Sequence, residues 1–284
     1  SFFLNIILNP ILIFGFAFIP AMGVKGIGLA TIISQLVSFS IVLFKILKNS
    51  RVKKLTKDFL SPKFLYLRNI FFQSMPISVS ICGYALASAI IFTYVGQSGE
   101  YAVAGYGVGT RIEQVVLLPI LGINTAIISI IAQNYGANNV NRIKETYFTA
   151  IKYAFIIMIT AAILVFLSAN IITSFFSSDP EVIEYGKRYL RISVFVLPAY
   201  PVFFLSNGFF MALKKSENAM ISNLFRNVLN PIVVFYIAKY FNASFDTFFW
   251  TWAGINWFFS ISYFFIILYY FKSRLDKSSA VVHP

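Results

Sequence analysis

The sequence predicts an all-α integral membrane protein, a polytopic helical bundle, and three observations carry that prediction. First, the 284 residues are 58% hydrophobic and only 12% charged. A soluble domain carries roughly 25% charge, so most of this surface does not face water. Second, the apolar residues gather into runs of about 20 or more, the length a helix needs to cross a bilayer. Third, short polar connectors separate the runs, and the basic residues collect on alternate connectors.

Eight runs read as spans: 1–19, 26–46, 70–95, 102–135, 148–176, 188–213, 219–239 and 247–271. The first two are joined by Pro20-Ala21-Met22-Gly23. A long basic stretch from Lys45 to Arg68 leads to the third. Gly96-Gln97-Ser98-Gly99-Glu100, Asn138-Asn139-Val140-Asn141 and Ser177-Ser178-Asp179-Pro180 close the next three. Lys214-Lys215-Ser216-Glu217 and Asn242-Ala243-Ser244 close the two after that. Gly, Pro, Asn and Ser are the residues expected where a chain turns. Several runs exceed what a bilayer requires, and Pro76, Pro119, Pro198, Pro201 and Pro231 are positions where they can kink.

Eight spans place alternate connectors on opposite sides. One side holds 16 of the 23 basic residues against four acids, a net of +12; the other holds five of each sign. Arg111, Glu113 and Arg226 lie inside spans and complete the formal charge of +13. A lysine and arginine bias of this kind is the positive-inside pattern. It places the 47–69 linker, the 138–147 and 214–218 loops and the C-terminus in the cytoplasm of a cell (inner or plasma) membrane protein. It also accounts for the basic charge without a nucleic-acid partner, which would need a soluble module with a basic face. Cys82 is the only cysteine and His283 the only histidine, which removes internal disulfides and leaves multi-Cys and His metal sites unsupported. No pair of spaced carboxylates, nucleophile–base set or phosphate loop points to an enzyme. The chain opens on Ser1 with no charged segment ahead of the first run, so it reads as starting partway through a longer protein rather than on a signal peptide.

An internal repeat is visible. Leu8-Asn9-Pro10-Ile11-Leu12-Ile13-Phe14 matches Leu229-Asn230-Pro231-Ile232-Val233-Val234-Phe235 at five of seven positions. Each copy sits in a span followed by one more span and a basic segment, with the same orientation. That is a parallel repeat of the sort relating two halves of some transporters. The expected organisation is then 1–46 as the last two helices of a first lobe, 47–69 as a cytoplasmic basic linker, 70–271 as a six-helix second lobe and 272–284 as a cytoplasmic tail. About four helices of the first lobe would be missing from the chain.

Ile11 to Gln35 reads ILIFGFAFIPAMGVKGIGLATIISQ, and Gly105 to Asn138 reads GYGVGTRIEQVVLLPILGINTAIISIIAQNYGAN, followed by Arg142. Both resemble the multidrug and toxic compound extrusion (MATE) transporters. The first is similar to that family's junction of helices five and six, the second to its eighth helix. Gly208-Phe209-Phe210-Met211-Ala212-Leu213 with Ser222-Asn223-Leu224-Phe225-Arg226 resembles its tenth and eleventh helices. The resemblance covers essentially the whole chain as helices five to twelve of twelve.

Asn5 and Asn9 lie four apart on one helical face, next to Pro10, which donates no backbone bond. Amides there suit cation coordination or a hydrogen bond to a protonated acid, as well as simple helix–helix bonding. The resemblance implies cation or proton coupling at Asn5, Asn9 and Thr31, although many members carry Asp where Asn9 stands. Arg111 and Glu113 point to different faces, so each needs a partner on another helix, and a structural anchoring role is expected for both. Arg226 aligns with Asn5 through the repeat. Members that couple to sodium carry acids in helices seven and ten; the equivalent positions here are about Tyr84 and Tyr200. That substitution implies that carboxylate coupling in the second lobe is lost. Tyr84, Tyr200, Arg226 and Asn230 are the pathway candidates.

The resulting expectation is a secondary active multidrug efflux transporter. It would export cationic or amphipathic compounds in antiport with H⁺ or Na⁺, with no other cofactor and no metal site, as a monomer in the lipid bilayer. A lipid or lipid-linked oligosaccharide flippase of the same superfamily and an inactive truncated fragment are the alternatives.

Overall fold

The computed structural model describes residues 2–16, 20–48 and 64–275. Its regular elements are helices, and they form two compact units, Ser1–Arg68 and Asn69–Pro284.

In the first unit α1 (Phe2–Phe14) pairs with α2 (Val24–Lys48). The α1 helix is 13 residues long, about 20 Å, which is shorter than the 1–19 span expected. Gly15, with φ +80°, takes the chain out of helix, and residues 17–19 lie outside the described residues. The returning chain supplies the partners that the last turn of α1 lacks: Met22 N–H donates to the Leu12 carbonyl (3.0 Å) and Gly23 N–H to that of Ile13 (3.2 Å). Gly26 then packs against the same backbone; a Cβ on it would lie 2.6 Å from the Leu12 carbonyl carbon. Small residues allow this approach, and between lipid-embedded helices packing of this kind drives association.

The second unit begins with α3 (Phe64–Gly96), α4 (Glu100–Gly136) and α5 (Val140–Phe176). A bent pair follows, α6 (Pro180–Ser193) and α7 (Tyr200–Ala212), joined through a 3₁₀ turn at Leu197–Ala199 and angled by 40°. Next, α8 (Ser216–Leu224) runs through a π-helical turn, Phe225–Leu229, into α9 (Asn230–Tyr240). The last helix, α10 (Phe245–Tyr270), ends in a second π turn, Phe271–Leu275. Among the described residues six helices are long and apolar enough to cross a membrane, and the bent pair is a seventh. With the shorter α1, all eight expected runs are helical. The expected linker 47–69 is helical at both ends, because α2 reaches Lys48 and α3 starts at Phe64; its centre, 49–63, and residues 276–284 of the expected tail lie outside the described residues.

The helix ends follow the connector chemistry. Asn138, Lys214 and Asn242 adopt positive φ (54°, 58°, 46°). Each lets the next N–H reach back to a carbonyl five residues earlier: Asn139 to Asn134 (2.9 Å), Lys215 to Phe210 (2.9 Å), Ala243 to Ala238 (2.8 Å). Asp179 caps α6 by accepting from the N–H groups of Glu181 (2.9 Å) and Val182 (3.3 Å), with Pro180 at the first helical position. At the bend, Pro198 and Pro201 lack the N–H groups that would continue the helical ladder. The Trp257 indole N–H donates to the Phe195 carbonyl there (2.7 Å).

The outward faces of the spans are apolar, with Leu167, Ile171 and Tyr269 each more than 70% exposed. That is the surface a hydrocarbon solvent favours. Inside, aromatic rings fill the core and their hydroxyls find partners. Tyr94 donates to the Ala243 carbonyl (2.6 Å), Tyr263 to Asn207 Oδ1 (3.0 Å), and Tyr147 shares a proton with Ser206 (2.7 Å).

Two close helix contacts fix α4 as the axis of the unit. Gly105 meets α6 so tightly that a Cβ would lie 2.7 Å from Gly186 N and 2.8 Å from the Val182 carbonyl oxygen. Gly109, one turn on, receives the ring of Tyr189. These contacts set the height of α6 against α4, and with it the site described next.

Candidate functional site

The second unit encloses a polar cavity of about 430 Å³ between α3, α4, the bent pair, the π turn at 225–229 and α10. Glu113 lies in its wall and is the only one of the ten acids that falls within an apolar run. Its carboxylate accepts two phenolic hydrogen bonds, from Tyr189 on one oxygen and from Tyr200 on the other. Tyr189 belongs to α6 and Tyr200 is the first residue of α7. One carboxylate therefore holds both sides of the 40° bend. An intramembrane carboxylate is costly unless paired or facing a cavity; this one has two donors and a cavity.

Arg226 borders the same cavity. Its Nε donates to Asn256 Oδ1 (3.1 Å), and its guanidinium sits over the rings of Phe203 (4.3 Å) and Tyr200 (4.7 Å). The residue lies on a π turn, a feature often found at functional sites. Asn256 is itself held by donating to the Trp252 carbonyl (2.9 Å), so α10 positions Arg226 by a hydrogen bond while its guanidinium rests on the aromatic lining.

Tyr84, Tyr200 and Arg226 border one cavity. Asn230 does not join them. It is fully buried, lines neither this cavity nor the larger one between α7, α8 and α10, and neither amide atom has a partner. Arg111 also differs from expectation: it borders the cavity exposed, with no ion pair or hydrogen bond among the described residues. Two residues along, Glu113 found its partners on α6 and α7 because the 200° step between them turns it inward. Glu113 borders the same cavity as Tyr84 and Tyr200, the positions read as equivalent to the helix-seven and helix-ten acids. Tyr189 was missed in the sequence because nothing marks it among 16 tyrosines; its spacing from Tyr200 is meaningful only once the bend is known.

In the first unit Asn5, Asn9 and Thr31 are brought together. Asn9 Nδ2 donates to Asn5 Oδ1 (2.9 Å), Asn5 Nδ2 to Thr31 Oγ1 (3.4 Å), and the Thr31 hydroxyl to the Ile27 carbonyl (2.9 Å). Asn9 Oδ1 is buried with no partner, a free acceptor that a cation or a protonated acid could engage. Each repeat copy bonds to its following helix, though at positions one turn apart, since the 221-residue offset carries Thr31 to Trp252. Asn5 reaches the following helix at Thr31, and its counterpart Arg226 reaches the following helix at Asn256.

Spanning helices around an acid-bearing cavity define a polytopic helical membrane protein. Comparison with known proteins makes this specific. The MatE family profile matches residues 76–236, more than half of the chain, and the chain belongs to that family. A FAD transporter of Shewanella oneidensis is 28% identical over 243 residues, covering 84% of this chain and 53% of that protein. The multidrug export protein MepA of Staphylococcus aureus is 26% identical over 241 residues, 85% of this chain and 52% of MepA. Among solved structures, a MOP superfamily transporter from Pyrococcus furiosus superposes with a TM-score of 0.83 at 24% identity, over 96% of this chain and 60% of that one, and shows the shared fold. The chain spans about half the length of the curated relatives it matches.

Proposed function

We propose that the protein containing this chain is a secondary active efflux transporter of the MATE type, exporting cationic or amphipathic compounds in antiport with H⁺ or Na⁺. Family membership and relatives named as multidrug exporters support this reading. The observation that carries it is the Glu113 carboxylate, placed in a cavity and held by Tyr189 and Tyr200 across the bend.

The chemistry follows from competition. A proton, a sodium ion or a cationic substrate each neutralise the same carboxylate, so they exclude one another there. Exclusion links the two fluxes in opposite directions. Protonation also removes acceptor capacity from Glu113, which weakens its hold on Tyr189 and Tyr200. The bend is then the element whose equilibrium the bound ion biases, and only such differential affinity can drive a change of state. The Asn5–Asn9–Thr31 cluster is a second candidate ion site, resting on the unpartnered oxygen of Asn9. The lysine and arginine bias supports a plasma-membrane orientation with the C-terminus in the cytoplasm.

In energised cells the full-length protein lowers ethidium accumulation, and a protonophore or removal of sodium abolishes the effect. Ethidium accumulation that is unchanged by expression, alongside restored export of a lipid-linked glycan, overturns the reading in favour of a flippase. For topology, accessibility labelling should find the segment around Lys53 and that around Glu181 on opposite sides; the same side for both refutes the orientation.

A further inference from the structure

A second cavity, of about 670 Å³, lies between α7, α8, the π turn and α10. That volume falls in the range of drug-sized sites, roughly 300–1,000 Å³. Eight aromatic rings line it, with Tyr269 at its outward-facing edge, and its charged lining among the described residues is Lys215 and Arg226. Neither pairs with a carboxylate among the described residues. Lys215 Nζ rests over the Tyr270 ring at 4.8 Å, and the Arg226 guanidinium over Phe203 at 4.3 Å. Arg226 belongs to both cavities, so it stands between the space that holds Glu113 and a space with no acid among its described lining residues.

We propose that this aromatic cavity is a binding site for an amphipathic aromatic anion, distinct from the Glu113 cavity in both position and charge preference. Arg226 shares its other cavity with Glu113, whereas Lys215 forms no ion pair among the described residues, so the charge of Lys215 is the one that draws an anion to this apolar space. Eleven residues separate Lys215 from Arg226, about 16 Å along a helix. A ligand with its ring system against Tyr263 and Phe259 can therefore direct an acidic group to either cation, with Asn218 and Ser222 as neutral donors between them. Flat aromatic bodies stack on such walls, whereas a cation entering here meets two like charges.

The site is tested with naphthalene-2-sulfonate as probe and 2-naphthylmethylammonium as its cationic counterpart, by equilibrium dialysis against the full-length protein in nanodiscs, with empty nanodiscs subtracted. Saturable sulfonate binding is expected, with the ammonium compound at least tenfold weaker. Lys215→Met and Lys215→Glu should each weaken sulfonate binding about tenfold or more, and Lys215→Arg should restore it; unchanged thermal midpoints across the three keep the comparison to folded protein. Equal affinity for both probes, or sulfonate binding indifferent to Lys215→Glu, overturns the proposal. It is also overturned if the sulfonate fails to bind while native mass spectrometry shows a phosphatidylglycerol molecule kept by the wild type and lost from Lys215→Glu, which would assign the groove to a lipid. Binding, not transport, is the readout, so the outcome does not depend on the coupling role of Glu113.

Discussion

Gly109→Ala adds one methyl group on α4 and should disturb Glu113 from one turn away. A Cβ on Gly109 would lie 2.9 Å from Cε1 and 3.3 Å from Cγ of Tyr189, with Cδ1 nearer still. The ring is 2% exposed and stands at 4.9 Å, edge-on, to both Tyr106 and Phe249. Those rings block two directions and leave movement toward the cavity that Tyr189 borders, so relief requires roughly 1 Å of displacement and an overpacking cost of about 1–3 kcal/mol. Moving the ring also draws its hydroxyl from Glu113, and a hydrogen bond to a charged group contributes about 1.5–3 kcal/mol. The expected loss is about 2–4 kcal/mol in reversible unfolding in mixed micelles, read by tryptophan fluorescence. In a Tyr189→Ala background the methyl meets no ring, and the same substitution should cost less than about 0.5 kcal/mol. Equal cost in both backgrounds refutes the packing argument.

Gly105→Ala should be worse tolerated, because its Cβ would meet the backbone of Gly186 and Val182 rather than a side chain; a loss above about 3 kcal/mol or failure to fold is expected, and a wild-type unfolding midpoint contradicts the α4–α6 contact. Asp246→Asn breaks the bidentate pair in which Arg188 Nε and Nη2 donate to Asp246 at 3.0 and 2.7 Å. Both side chains are more than a third exposed, so solvent screening limits the loss to about 0.5–1 kcal/mol, measured by the same unfolding assay and diminishing in high salt.

Much of this fold is legible in the sequence because lipid imposes a simple rule: about 20 apolar residues per crossing, with every backbone group satisfied inside the helix. The eight runs, the connectors and the kink at Pro198 and Pro201 follow from it. So does the pairing of Asn5 with Asn9, since a four-residue spacing fixes a face. The site is less legible because it depends on which faces meet. The sequence shows that Glu113 needs a partner, but Tyr189 and Tyr200 converge on it only because a 3₁₀ turn re-aims α7 after α6. The π turn at 225–229 is marked only by Pro231 just beyond it, which lacks the N–H that would bond the Asn227 carbonyl; that the turn presents Arg226 to two cavities is not legible from the sequence. Asn230 matches Asn9 in sequence and, like the Asn9 oxygen, its amide is buried without a partner among the described residues, but the sequence does not show that it lies off both cavities.

The central claim is that Glu113 links ion movement to substrate movement, and gradient-driven dye transport in proteoliposomes tests it most directly. With the full-length protein, an imposed proton or sodium gradient should accelerate ethidium transport. Glu113→Gln keeps an acceptor for at least one tyrosine but cannot be neutralised by an ion, so it should lose that acceleration by tenfold or more while its unfolding midpoint stays near wild type. Undiminished gradient-driven transport by folded Glu113→Gln protein would contradict the account.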